Sequence, residues 1–261
     1  IHRRLAAKIA NLPGPLLVIG LAETATALGR GVAEEAALLT GRNDILYLQT
    51  TRYHLDRPLA FSFNEAHSHA PEHIVYLPDP ALRPLFNAAQ SLILVDDEIS
   101  TGRTLAELAK ASLETNPGIE QIVLISITNW LTTVLQEELI KQLERPLSFL
   151  ALVQGSFQFE PDPTFPPPAL PLVIANSNRN HDHILADPAR TGLIAGHGAN
   201  QTRNLAMIST IKTDKPLAVI GTGEYAYKPF RTALALEEAG YDVLFQTTTR
   251  SPILMGDAIA S

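Results

Sequence analysis

Asp96 and Asp97 stand side by side in Leu92-Ile-Leu-Val-Asp-Asp-Glu-Ile-Ser-Thr-Gly-Arg-Thr104, after an apolar run and just before a hydroxyl-rich turn. Adjacent carboxylates can accept hydrogen bonds from vicinal hydroxyls. Ser100, Thr101, Gly102, Arg103 and Thr104 open a helix whose first turn offers backbone N–H groups and a positive dipole end to a phosphate monoester. The constellation therefore suits a ribose 5-phosphate carrying further anionic groups. Leu92–Val95 has the length and two-faced hydrophobicity of a strand buried in a parallel sheet. It would deliver both carboxylates to its carboxyl end, where open α/β sheets place their ligands. Leu105, Leu108, Ala109 and Leu113 give the following helix one apolar stripe. A buried strand and a capped helix alone would account for the apolar run, but not for two carboxylates combined with that loop.

This stretch closely resembles the phosphoribosyl-pyrophosphate (PRPP) signature of type I phosphoribosyltransferases. The resemblance implies that Asp96 and Asp97 contact the ribose hydroxyls and, directly or through water, magnesium-bound substrate. It implies that Ser100, Thr101, Gly102, Arg103 and Thr104 wrap the 5-phosphate. Glu98 stands where the family more often has an aliphatic residue, and its carboxylate either touches metal or faces solvent. A second strand-to-helix turn, Val18-Ile-Gly-Leu-Ala-Glu-Thr-Ala-Thr-Ala-Leu-Gly29, has small residues that permit close backbone approach but lacks the lysine of a P-loop. By resemblance its Ala22, Glu23 and Thr24 bind pyrophosphate, with Glu23 turned away or reaching the phosphates through magnesium. The residues alone support a helix simply capped by Thr24 equally well.

Gln49-Thr-Thr-Arg52 closes another strand and leads into Tyr53–His73, which has no stable hydrophobic period and holds Arg57, Glu65, His67, His69 and His73. A mobile lid fits this pattern, and in the resembled family a flexible hood closes over the substrate, often with a lysine. Here no lysine lies between Lys8 and Lys110, so Arg52 and the histidines would supply the positive charge. Arg52 is the favoured catalytic group, because it stays protonated and can bond two phosphate oxygens. His67, His69 and His73 could instead form a metal site, or simply sit in a solvated loop.

Near the carboxyl terminus, Gly221-Thr-Gly-Glu-Tyr-Ala226 satisfies the Gly-x-Gly-x-x-Gly/Ala pattern, but the acidic residue expected at the end of the next strand is absent, Gln246 standing there. Thr249-Arg-Ser-Pro252 resembles the signature of the TRSP domain. Such domains follow phosphoribosyltransferase domains in proteins associated with tellurite-resistance (Ter) gene clusters, and the other quoted motifs are similar to that subfamily too. If the two strands are parallel neighbours, Gly221, Gly223, Glu224, Thr249, Arg250 and Ser251 could converge on a second anion. The alternative is that Arg250 pairs with Glu224 or docks this unit on the first.

The elements that must hold these residues read as an α/β fold. Apolar runs at Leu16–Ile19, Ile45–Leu48, Ile74–Leu77, Leu92–Val95 and Ile122–Ile127 alternate with helical stretches at Thr24–Leu39, Leu105–Leu113 and Leu131–Leu143. The spacings are too long for hairpins and predict parallel strands flanked by helices. Pro161–Pro171 reads as a stiff linker. Beyond it, Leu217–Ile220, a helix through Phe230–Ala239, and Tyr241–Gln246 make a second β-α-β unit. The expected architecture is a type I phosphoribosyltransferase-like domain at 1–160, a linker at 161–171 and a smaller TRSP-like α/β domain at 172–261. The last could be incomplete, since a chain opening on isoleucine fits an excerpt of a longer product.

The 261 residues, 46% hydrophobic and 18% charged, are ordinary for a globular protein, and no apolar run is long enough to span a membrane. The net charge of −7 disfavours broad nucleic-acid binding. The chain has no cysteine, hence neither disulfides nor thiolate chemistry, and its opening octapeptide is too short and polar for a secretory core, so a cytoplasmic location is expected. The resemblance implies a magnesium-dependent enzyme that transfers 5-phosphoribosyl from PRPP to a base-like small molecule and allows a homodimer. A PRPP-binding regulator without turnover and a ribose-phosphate pyrophosphokinase-like enzyme remain alternatives, the latter needing an ATP site.

Overall fold

The computed structural model describes residues 1–64, 72–160, 164, 188–196, 211 and 213–248. In chain order its elements are α1 (His2–Ile9), β1 (Leu16–Gly20), α2 (Ala25–Thr40), β2 (Ile45–Gln49), β3 (Leu59–Asn64), β4 (Glu72–Tyr76), α3 (Arg83–Asn87), β5 (Ser91–Val95), β6 (Glu98–Ile99), α4 (Arg103–Thr115), β7 (Gln121–Asn129), α5 (Thr133–Leu143) and β8 (Leu147–Gln154). Then follow β9 (Leu193–Ile194), β10 (Leu217–Thr222), α6 (Tyr227–Glu238) and β11 (Val243–Thr248).

β1, β2 and β5 are buried along their whole length, which is why they read as unbroken apolar runs rather than alternating ones. They form the centre of a mostly parallel seven-stranded sheet: β7 pairs with β5, β5 with β1, β1 with β2, and β8 lies along β7. Short β6 continues the ladder on β7 through Glu98↔Thr128 and Ile99↔Asn129. Helices α2 and α4 cover the sheet with small or branched residues such as Ala33, Ala36, Leu105 and Leu108, all buried. Thr132 caps α5 by accepting a hydrogen bond from Leu135 N–H. The register pairs Gly20 with both Gln49 and Val95, so the chain leaves β2, β1 and β5 side by side at one edge.

Three expectations change. Ile74–Leu77 is not a strand of the parallel sheet: β4 pairs antiparallel with β3 in a separate two-stranded ribbon. The segment Tyr53–His73 is therefore not wholly aperiodic lid, since β3 lies within it. β8 and α1 are additional; β8 has a mixed, half-exposed pattern that gives little periodic signal, whereas α1 buries a clear stripe of Leu5, Ala6 and Ile9 that the sequence reading did not use. Most consequentially, β9 pairs antiparallel with β2 through Leu46↔Ile194 and Tyr47↔Leu193 and so borders the main sheet, although it lies beyond the proline-rich stretch.

The expected second β-α-β unit is present, with β10 and β11 adjacent and parallel and α6 packed on both. It sits on α2, and His2 of α1 meets Phe230 of α6 edge-on at 5.2 Å between ring centroids. Thr164 apart, the linker lies outside the described residues, as do Glu65, His67, His69, Thr249, Arg250 and Ser251. Among the described residues, no helix is long and apolar enough to cross a membrane.

Candidate active site

Asp96 and Asp97 leave the carboxyl end of β5, both half-buried. Asp96 N–H donates to Ile125 O (2.9 Å), and the Asp97 carbonyl accepts from Ile127 N–H and Thr128 N–H, so β7 fixes the turn from both sides. Asp96 Oδ1 accepts from Asp97 N–H at 3.0 Å. Glu98 projects from β6 and is exposed. The chain then crosses Ser100 and Thr101, both exposed, to buried Gly102, the N-cap of α4 with φ +71°. A Cβ there would lie 2.7 Å from Leu139 Cδ1. Glycine thus lets the loop turn in the left-handed region while α5 packs beneath it. Arg103 and Thr104 open α4, whose first-turn N–H groups have no intrahelical acceptor and carry the positive dipole end.

The turn after β1 lies between this loop and the end of β2. Leu21 N–H donates to Val95 O (3.0 Å), and Thr50 N–H donates to Gly20 O (3.0 Å). Ala22 N–H donates to Thr50 Oγ1 at 2.8 Å, and the Ala22–Glu23 peptide is cis. Thr24 is the N-cap of α2 but makes no side-chain cap bond; its hydroxyl donates instead to Asp97 Oδ1 at 2.8 Å. Plain capping does not describe this residue. This bond joins the Ala22 to Thr24 turn to the acidic pair at the end of β5.

His73 needs correction as a hood histidine. It is fully buried in β4, stacked on Phe63 at 4.8 Å, with Nδ1 3.2 Å from Thr50 Oγ1. It braces the hydroxyl that holds Ala22, and it cannot swing as part of a lid. Arg52 lies at the end of β2, half-buried, with one guanidinium nitrogen donating to Glu72 O at 3.3 Å. The next residues are tied down by Tyr76, whose phenol donates to Tyr53 O (3.0 Å) and accepts from Leu55 N–H (2.7 Å). Burial foremost pushes that phenol above its ordinary pKa, keeping it protonated as a donor.

The C-terminal unit reaches the same edge. Glu224 is buried, its Oε1 accepting Arg52 N–H at 2.7 Å and its Oε2 accepting the Thr51 hydroxyl and two nitrogens of buried Arg190, at 3.0 and 2.8 Å. This corrects the second anion site in part: the Glu224 carboxylate is committed to the first unit, with Arg190 rather than Arg250 as its described cation. Gly221 and Gly223 stand at the end of β10, and Gly223 N–H donates to Thr248 Oγ1 at 3.0 Å.

Residues 1–156 match the phosphoribosyl transferase family. The chain belongs to that family. Residues 189–259 match the TRSP domain, which lies C-terminal to this class of phosphoribosyltransferase domain. Among solved structures, the chain is similar to an APRTase from Giardia lamblia complexed with 9-deazaadenine, at 15% identity over 60% of this chain and 78% of that one, TM-score 0.42. It is also similar to an adenine phosphoribosyltransferase from Thermoanaerobacter pseudethanolicus, at 17% identity over 59% of this chain and 78% of that one, TM-score 0.38. No curated protein matches the chain significantly. Within this phosphoribosyltransferase, Thr50, Thr51, Arg190 and Tyr76 are the site residues that patterning missed. Thr50 and Thr51 could have been found from their place at a strand end beside β1, whereas nothing local marks Arg190.

Proposed function

We propose that the protein transfers 5-phosphoribosyl from PRPP to a nitrogen of a base-like small molecule and releases pyrophosphate. The observation that carries this reading is the Thr24 to Asp97 hydrogen bond at 2.8 Å, which joins the loop we assign to pyrophosphate to a carboxylate we assign to the ribose. In the reaction the acceptor nitrogen bonds to C1 as the C1–O bond to pyrophosphate breaks, with inversion; the leaving oxygen keeps the electron pair, and the acceptor loses its proton. Asp96 and Asp97 orient the ribose. Ser100 to Thr104 and the start of α4 fix the 5-phosphate, and Ala22 to Thr24 with Arg52 receive the pyrophosphate. Positioning and charge stabilisation supply most of the catalysis in such a site.

The donor set suits magnesium. Asp96 and Asp97 offer hard carboxylate oxygens, and among the described residues no group of three or more acidic, histidine or cysteine side chains forms a cage. Those two carboxylates would hold the ion, directly or through water, together with substrate phosphates. Bound there, magnesium would supply positive charge to offset the negative charge of the leaving pyrophosphate. A cytoplasmic location and a biosynthetic role in tellurite-resistance clusters belong to the same proposal, the latter resting on the resemblance of Thr249-Arg-Ser-Pro252 to the TRSP signature. The test is to incubate the full chain with PRPP, magnesium and a panel of nitrogenous bases and follow pyrophosphate. Base-dependent release is expected; PRPP binding with no release for any base would favour a regulator instead.

A further inference from the structure

Gly221-Thr-Gly-Glu224 is not needed for any step above, yet it delivers a carboxylate into the first unit. Glu224 is 2% exposed and Arg190 3%, and both Glu224 carboxylate oxygens are engaged: one on Arg52 N–H, the other on the Thr51 hydroxyl and the Arg190 guanidinium. The Glu224 main-chain carbonyl also accepts from the Thr26 hydroxyl at 3.3 Å, in the first turn of α2. One residue of the C-terminal unit thus grips both segments flanking Ala22 to Thr24, the end of β2 and the start of α2.

The glycines permit this approach. At Gly223, φ is +52° and a Cβ would lie 3.4 Å from the Tyr53 hydroxyl and 3.9 Å from Glu23 Oε1, so the loop lies backbone-first against the pyrophosphate turn. At Gly221 a Cβ would lie 2.9 Å from Thr247 Cγ2 and from Tyr225 O. The motif that imitates a dinucleotide fingerprint is explained by local geometry: Gly221 is crowded by its own unit, and Gly223 takes a positive φ at the turn that presents Glu224. A buried ion pair is weak as a source of stability, since desolvation offsets its attraction. What a fully satisfied buried network does provide is fixed geometry. Arg190 also neutralises a carboxylate that would otherwise repel pyrophosphate.

We propose that Glu224 is a positioning residue for the pyrophosphate end of the site, holding Thr51 and Arg52 in register with the Ala22 loop, so that the C-terminal unit completes the phosphoribosyltransferase site. This rests on the assignment of Ala22 to Thr24 and Arg52 to pyrophosphate. The test is calorimetry on the full chain with saturating magnesium, using PRPP, pyrophosphate and ribose 5-phosphate as separate probes, for wild type and Glu224→Gln. Expected is a loss of about tenfold or more in affinity for PRPP and pyrophosphate, with ribose 5-phosphate, held by the Ser100 to Thr104 loop, within about twofold of wild type. If Glu224→Gln does not fold, the double variant Arg190→Met with Glu224→Leu removes the buried charges together and takes its place, with the same selective loss expected. Unchanged affinity for PRPP and pyrophosphate, or an equal loss for ribose 5-phosphate, would overturn positioning. A wild-type protein that binds none of the three probes would overturn the phosphoribosyl reading itself, and this proposal with it.

Discussion

Gly102 and Gly41 provide a matched pair of perturbations. Both have φ +71°, so an alanine at either position meets the left-handed penalty of about 1–2 kcal/mol. At Gly41, the C-cap of α2, no atom lies within 4 Å of a would-be Cβ, and the penalty falls on stability alone. Gly41→Ala should lower Tm by roughly 2–4 °C per kcal/mol and leave ligand affinity unchanged. At Gly102 the Cβ also presses on Leu139 Cδ1 at 2.7 Å, so the loop relaxes away from its left-handed turn and must be driven back when phosphate binds. The same 1–2 kcal/mol then appears in binding, as about a 5- to 30-fold weaker affinity for PRPP. Calorimetry with PRPP and thermal melts of both variants provide the comparison. Gly102→Ala with wild-type PRPP affinity would refute the assignment of this loop as the phosphate cradle.

Asp97→Asn keeps an acceptor for Thr24 but removes the charge, and should weaken magnesium-dependent PRPP binding by roughly 1.5–3 kcal/mol, about ten- to a hundredfold, as read by titration with and without magnesium. Arg52→Ala leaves its backbone bond to Glu224 in place, so turnover should fall roughly a hundredfold with the Michaelis constant for PRPP little changed; normal turnover with only a raised constant would make Arg52 a binding residue. His2, on α1 and packed against α2 and α6, has its pKa lowered from 6.5 to about 4, chiefly by burial. Its folded value lies below its unfolded one, so the unfolded chain takes up the proton first. Stability should be full above about pH 6.5 and be lost progressively toward pH 4, by roughly 3 kcal/mol at most. Urea midpoints across that window should flatten in His2→Gln, and an identical slope would exclude His2 as the source.

The strand, turn and helix start around Asp96 and Asp97 were legible because they are local. Leu92 to Thr104 carries strand, carboxylates, turn and helix start in one run, and a parallel strand buried on both faces cannot hide its apolar signature. The same reasoning found β1, β2, β7 and the β10-α6-β11 unit. It misread Ile74–Leu77, because an apolar run gives burial without direction, and β4 buries its side chains in a ribbon rather than in the central sheet. His73 misled for a related reason: an imidazole near a lid sequence looks solvated until Phe63 stacks on it and Thr50 engages its nitrogen.

By itself, then, the sequence determined the α/β class, the strand, turn and helix start that carry Asp96 to Thr104, and the presence of a second unit, since these depend on hydrophobic period and on residues adjacent in the chain. Only the tertiary structure decided that Thr24 bonds Asp97, that β9 closes the edge of the sheet beside β2, and that Glu224 with Arg190 is buried under Thr51 and Arg52. Apart from Arg190 and Glu224, which are 34 positions apart, those pairings join residues 73 to 173 positions apart. A side chain's partner across such a distance is set by which strands lie side by side and which loops leave the same edge, and no local spacing carries that information.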